Sequence, residues 1–305
     1  MKIRRIIGIS ALVVAGLALT GCSSSSSLSG DGYGSDKSSG NRIVVGSQDY
    51  YSNEIIAEIY AQALEREGFD VDRQFRIGQR ETYMPDVEAG KIDVFPEYSG
   101  PLLQYWDADA TARSATDVLS ALVTAAPDDV DVLPQSSATD EDVYVVTRAF
   151  AEQHDVQSLA DLASVGSPIT LGGASEGEDR PNGPAGLEEV YGATVRFTPI
   201  EDGGGPLTVK ALQDGSVQLA VMYSADPAIA DNDLVMLRDP ESLMTASNVV
   251  PIVSDRVTTE AQRAIERVGR ELTPSGLVAL NRESVDDQQS AAVIAKAWLR
   301  THADG

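Results

Sequence analysis

The 305-residue chain holds one cysteine and two histidines, so its reactive side chains are almost all carboxylates and hydroxyls. Cys22 has no partner for a disulfide. His302 stands close to the carboxyl end, and His154 sits in the polar segment Glu152-Gln153-His154-Asp155. Neither histidine has a matching cluster, which excludes a metal site of zinc type and Cys/His nucleophilic chemistry. There is no G-x-S-x-G elbow and no Walker-type loop. No cofactor is expected. What remains for acid–base work is a carboxylate pair such as Glu97 with Asp142. Two carboxylates beside one cleft can serve as acid and base, so a secreted hydrolase is one reading of the chain. The sequence does not set their separation.

Glu97 belongs to the stretch Gly90-Lys91-Ile92-Asp93-Val94-Phe95-Pro96-Glu97-Tyr98-Ser99-Gly100-Pro101. Residues 92–95 read as a short apolar strand. Pro96 cannot donate to a central ladder, so the strand is expected to end there or to lie at an edge. Ser99 and Gly100 can start a helix that turns Leu102, Leu103 and Trp106 inward. Glu97 and Tyr98 then occupy a strand-to-helix turn, the place where ligands gather in open α/β sheets. From spacing alone Tyr98 reads first as a ring covering a core edge, since most turn tyrosines pack.

The elements that carry this stretch alternate. Residues 42–47 form a buried strand running into a loop, and Ser52 caps a helix with Ile55, Ile56, Ile59, Tyr60, Ala63 and Leu64 as its stripe, ended by Gly68. Residues 69–77 form a second strand and 82–89 a short helix. The β-α-β-α-β-α order marks a mainly parallel sheet. Ser114-Ala115-Thr116-Asp117 and Ser158-Leu159-Ala160-Asp161 are capping boxes. Strands follow at 142–147, 169–171, 195–200, 217–221, 234–237 and 249–253, with helices at 187–191 and 207–213. Tyr144 lies in one strand and Tyr223 just past another. The chain closes with amphipathic helices at 259–272 and 285–299. Gly-rich patches at 166–186 and 202–206 match no phosphate fingerprint and read as mobile loops. The order suggests one α/β unit, a second, and a return to the first.

The amino end sets the compartment. Met1-Lys2-Ile3-Arg4-Arg5 is followed by an apolar run over 6–19 and by Leu19-Thr20-Gly21-Cys22. This is a secretory signal, too short to span a membrane stably. Its ending resembles a bacterial lipobox, which implies cleavage before Cys22 and lipid on its sulfur. Each buried acyl methylene contributes roughly 0.8 kcal/mol, so a multiply acylated Cys22 anchors firmly. Residues 23–41 are Ser- and Gly-rich and read as a flexible tether. The formal charge is -24, and -27 once Lys2, Arg4 and Arg5 leave with the signal. Such a surface argues against nucleic acid and mildly favours a cationic ligand, although solubility explains most of it.

Several segments together resemble one family. They are Val45-Gly46-Ser47-Gln48, the Gly90-to-Gly100 stretch, Asp142-Val143-Tyr144, Ser158-Leu159-Ala160-Asp161-Leu162, and Gly186-Leu187 with Tyr191-Gly192. With the lipobox, they resemble the substrate-binding lipoproteins of ABC importers for glycine betaine, carnitine, choline and related osmoprotectants. The resemblance implies a type II periplasmic-binding-protein-like fold, with a ligand cleft between two α/β lobes. Residues 42–146 plus 246–305 are the expected first lobe and 147–245 the second. It implies a non-enzymatic, lipid-anchored extracytoplasmic monomer that captures a small quaternary ammonium or zwitterionic solute and delivers it to a membrane permease.

The family's tyrosine box falls on Tyr98, Tyr144 and Tyr223, with Asp142 beside Tyr144. Arg180 matches the arginine that pairs with a ligand carboxylate, and Gln48 lies among the carboxylate contacts. The residue types suit the task. A trimethylammonium group has no N–H to donate, and aromatic faces hold it at about 0.5 to 2 kcal/mol per desolvated ring. A carboxylate suits the planar fork of an arginine.

The sequence also departs from the pattern. Thr245-Ala246-Ser247-Asn248 offers no fourth ring, Pro101 stands where threonine is common, and Gln48 lies where a lysine is expected nearby. The cage is open on one side and the carboxylate pocket weakened, leaving room for a bulkier ligand or one without a carboxylate. Tyr50, Tyr51 and Tyr83 are candidates for the missing ring. Arg80 reads as a surface charge. Beside the hydrolase, the alternatives are the same fold binding an amino acid or polyol, and a structural lipoprotein.

Overall fold

A computed structural model describes residues 41–302. The signal segment, Cys22 and nearly all of the expected tether lie outside the described residues. Two five-stranded sheets carry the chain. The first uses β1 (Arg42–Gly46), β2 (Asp70–Gln74), β3 (Val94–Tyr98), β4 (Val130–Val132) and a late strand. The second uses β5 (Asp142–Thr147), β6 (Ile169–Gly173), β7 (Val195–Pro199), β8 (Leu219–Tyr223) and β9 (Leu234–Met236). The late strand, β10 (Val249–Ser254), returns to the first sheet. The orders are β2-β1-β3-β10-β4 and β7-β6-β8-β5-β9. β1 runs parallel to β2 and β3, and β10 lies antiparallel between β3 and β4. The mixed α/β class and the two lobes follow from this topology.

Each sheet is buried on both faces, as expected of a sheet clothed by helices. On one face of the first sheet, Ile43, Val45, Val94 and Val253 pack with helices Tyr51–Arg66, Thr259–Glu271, Pro274–Val285 and Ala291–His302. Phe95, Val250 and Ile252 turn to the other face, against helices Arg80–Glu88, Ser99–Trp106 and Ala115–Ala125. The expected stripe of Ile55, Ile56, Ile59, Tyr60, Ala63 and Leu64 is buried.

Four local expectations are corrected. The strand containing Pro96 neither stops at the proline nor lies at an edge. β3 continues to Tyr98 and is central, with Pro96 opposite Pro251. The Pro251 carbonyl accepts from the Leu133 N–H, and the Pro96 carbonyl accepts from Asn53 Nδ2. The two prolines thus face away from each other's ladder, and neither removes a bond between β3 and β10. Ser52 is not a cap, because the helix begins at Tyr51 and its preceding residue, Tyr50, makes no side-chain capping bond. The last helix is Ala291–His302 rather than 285–299, and helix Pro274–Val285, capped by Thr273, precedes it. β5 was expected to close the first lobe at 146, but it pairs with β8 and β9 in the second sheet. The first lobe's sheet therefore ends before Asp142. Apolar alternation cannot choose between partner strands that the chain reaches only by long-range pairing.

Two crossings join the sheets, at 133–141 and 237–248. The first bonds to the second and to the start of β10: Asp140 N–H donates to the Ser247 carbonyl at 3.1 Å, Ser136 N–H to the Val249 carbonyl and Val249 N–H to the Ala138 carbonyl, each at 2.9 Å. Glu141 accepts from Ser247 N–H at 3.1 Å.

Candidate functional site between the lobes

The turn after β3 is built around one carboxylate. Glu97 is fully buried. Arg80 grips it with Nε and Nη2, each at 2.9 Å. The Tyr83 hydroxyl donates to it at 2.6 Å and the Tyr98 N–H at 2.9 Å. Burial works to lower the Arg80 pKa, but the hydrogen bond and charge of Glu97 outweigh it and raise the value. Arg80 is thus the half-buried partner of Glu97, not the surface charge its loop position suggests. Tyr83 stacks on Phe95 with ring centroids 4.1 Å apart, in the core on the face of the first sheet that carries helices Arg80–Glu88 and Ser99–Trp106, and its hydroxyl is committed to Glu97, so it is no candidate for a cage ring. Both Glu97 oxygens are thus engaged by groups of the fold itself.

The next two residues fasten this turn to the second crossing. Ser99 Oγ accepts from the Asn248 N–H at 3.0 Å. A Cβ on Gly100 would lie 2.5 Å from the Ala246 carbonyl oxygen, so only glycine allows this approach. Ser99 and Gly100 therefore act at the hinge, a role the motif alone does not reveal.

In the second lobe, a cavity of about 150 Å³ is lined by Asp142, Tyr144, Arg180 and Tyr223, with Phe197 and several glycines. Strand register sets two of these residues side by side, since Asp142 on β5 faces Tyr223 on β8. The Gly-rich segment forms part of the wall rather than a loose loop. A Cβ on Gly183 would lie 2.2 Å from the Gly177 carbonyl oxygen, so the segment folds tightly on itself. Tyr144 is 1% exposed, and its hydroxyl donates to the Asn182 carbonyl. Tyr223 is 43% exposed. Burial raises the Asp142 pKa, and the nearby Arg180 charge opposes the shift.

Gln48 and Tyr98 are not among the residues lining that cavity. They sit on the first-lobe side. Gln48 donates its backbone N–H to Asn53 Oδ1 at 3.0 Å, while its own Nε2 is buried without a partner. Tyr98 is buried, and its hydroxyl lies near Ser52 and Asn53 without a hydrogen bond of ordinary geometry. Burial, then the charge of Asp140, raises its pKa. Tyr50 bridges the two groups. Its ring stands 4.9 Å from Tyr51 and 6.4 Å from Tyr223, centroid to centroid. Its pKa is pushed up by burial, then by Asp140 and Tyr98. The structure thus brings Asp142, Tyr144, Arg180 and Tyr223 to one cavity, with Tyr98 and Gln48 outside it and Tyr50 between.

Sequence reasoning missed Asp140. It lies in the acidic run Asp140-Glu141-Asp142, where nothing in residue type sets it apart. Only the fold buries it, to 8% exposure, beside Tyr50 and Tyr98.

Two α/β lobes of this topology, joined by paired crossings beside a polar and aromatic cleft, define the two-lobed periplasmic-binding-protein class. A family model described as the substrate binding domain of ABC-type glycine betaine transport system, OpuAC, matches residues 41–301. The chain belongs to this family and is the solute-binding component of an ABC transporter, acting outside the cytoplasm. Among solved structures, it resembles a glycine betaine/carnitine/choline ABC transporter protein with a TM-score of 0.78 at 19% identity, covering 86% of this chain and 98% of that one. Apo YehZ from Escherichia coli gives 0.72 at 21% identity, over 85% and 98%. Lactococcal OpuAC, closed around glycine betaine, gives 0.57 at 17% identity, over 87% and 97%. At these identities the likeness is one of fold. Among the described residues, no helix is long and apolar enough to cross a membrane.

Proposed function

We propose that this chain captures a quaternary ammonium solute of the glycine betaine, choline or carnitine class between its lobes. The reading rests on the cavity lined by Tyr144, Tyr223, Asp142 and Arg180, and on the Tyr50 ring that stands 6.4 Å from Tyr223. Tyr98, Tyr144 and Tyr223 supply ring faces, Asp142 and Arg180 polar contacts from the second lobe, and Gln48 a free amide from the first. Tyr50 provides the ring that the 245–248 segment lacks. Tyrosine faces attract a methylated nitrogen by about 0.5 to 2 kcal/mol each as water leaves, and lobe closure removes that water. The closed form then docks on the permease.

In this reading the lobes meet at the two crossings, residues 1–22 direct secretion, and lipid on Cys22 tethers a monomer through 23–41. It binds without turning over its ligand; the engagement of Glu97 by Arg80 and Tyr83 supports this part. Titration with glycine betaine, choline, carnitine, proline and a polyol tests the solute class. A bound solute raises the melting temperature by mass action. A shift with at least one quaternary ammonium compound is expected, and a response to proline or the polyol alone would overturn the assignment. For the anchor, Cys22→Ala should release the protein from the membrane fraction.

A further inference from the structure

Asp140 has a place but no partner. Its side chain lies on the first crossing, 8% exposed, and neither carboxylate oxygen has a hydrogen bond of ordinary geometry among the described residues. The Tyr50 hydroxyl and the Ala225 N–H come near without completing one. The charged groups that act most on it, Asp226 and Asp142, are also acidic. The other titratable groups facing it are Tyr50, Tyr51 and Tyr98. A carboxylate buried without a counter-ion is costly, and a fold normally neutralises or pairs it. Its neighbours include the rings of Tyr50 and Tyr98, and the Tyr98 hydroxyl is itself buried without a hydrogen bond of ordinary geometry.

We infer that Asp140 is the counter-charge for the ligand's ammonium, so the site takes an organic cation without a carboxylate in preference to a zwitterion. This rests on the quaternary ammonium reading above and narrows it. A cation set against Tyr50 and Tyr98 gains the Asp140 charge in a desolvated place, where both cation–π and ionic attraction are strong. A zwitterion brings a second group that Asp140, Asp142 and Asp226 all repel. The Arg180 charge already acts on Asp142. Pro101 offers no hydroxyl, and neither oxygen of Asp140 can serve a carboxylate as donor while ionised. Burial, the largest influence on Asp140, pushes its pKa up to about 6. Choline binding should therefore weaken below that pH, as the carboxylate takes up a proton.

The test is calorimetric titration of the mature protein with choline, glycine betaine and 3,3-dimethylbutan-1-ol, the uncharged carbon analogue of choline. In the wild type at pH 7.5, choline should bind at least about tenfold more tightly than either other compound. Asp140→Asn should lose about tenfold or more for choline and leave glycine betaine unchanged or tighter. Between pH 7.5 and pH 5, wild-type choline affinity should fall by about tenfold, and that of Asp140→Asn should hold. Preference for glycine betaine in the wild type overturns the inference without any variant. So does an equal loss for both ligands in Asp140→Asn, or unchanged choline binding. If the wild type binds no quaternary ammonium compound, the solute class itself fails, an outcome distinct from each of these.

Discussion

Two buried carboxylates stand in neighbouring parts of the first lobe and its hinge, and they are treated in opposite ways. Glu97, fully buried on the turn after β3, receives Arg80, the Tyr83 hydroxyl and the Tyr98 N–H. Asp140, on the crossing, receives no complete hydrogen bond. A charge satisfied from within serves the fold, because its neighbours were placed for it. Asp140 lacks such neighbours among the described residues, and its inferred complement is a ligand.

The largest effect should come from the first carboxylate. Arg80→Met leaves Glu97 buried and uncompensated and should cost about 3 to 5 kcal/mol in urea denaturation. A loss under about 1 kcal/mol would mean that the Glu97 cluster is no better founded than Asp140.

The second carboxylate should behave in reverse. Its folded pKa, about 6, lies above the ordinary value of 3.8. The folded state therefore holds the proton more tightly than the unfolded chain. Its contribution favours the fold at low pH and is lost as pH rises from about 4 to 6, on the order of 3 kcal/mol. Ligand-free Asp140→Asn should be as stable as the wild type near pH 4 and more stable at pH 7. Glu141, Asp142 and Asp226 are shifted upward too, so the difference between the two proteins is the informative quantity. A variant less stable at pH 7 would make Asp140 a structural group like Glu97.

Between the lobes the expected effects are smaller. Tyr223→Ala should weaken quaternary ammonium binding by about 1 to 2 kcal/mol, with the melting temperature nearly unchanged because the ring is exposed. Tyr98 needs a gentler change. Its ring belongs to the first-lobe core, and truncation to alanine would cost about 3 to 5 kcal/mol of stability. Tyr98→Phe keeps the packing and removes only the unpartnered hydroxyl. Equal affinity in Tyr223→Ala and wild type would move the ligand away from the second-lobe cavity. The smallest effect sets the scale. Thr258→Ala removes the cap on Ala261 N–H and should cost about 1 kcal/mol without touching affinity.

Some of the site was legible in residue type and order. The family resemblance points to Asp142, Tyr144, Arg180 and Tyr223, and all four line one cavity. Asp142 begins β5 and Tyr223 ends β8, and the antiparallel pairing of the two strands brings those ends together. Arg80 and Tyr83 were misread for one shared reason. An arginine and a tyrosine near a loop look alike whether they face water or a buried anion, and Glu97 lies 17 and 14 residues away from them. Helix Pro274–Val285 was hidden because Pro274 and Gly276 resemble a break, although Pro in the first turn is compatible with a helix.

By itself the sequence determined the alternation of strands and helices, the buried stripes and the acidic surface. These depend on periodicity and composition, which neighbours in the chain carry. Only the tertiary structure decided which sheet takes β5, that Pro96 could sit in a central strand, and which of two carboxylates is left unpaired. Those outcomes depend on contacts between distant segments, and burial gives a charge its meaning only once those segments have met.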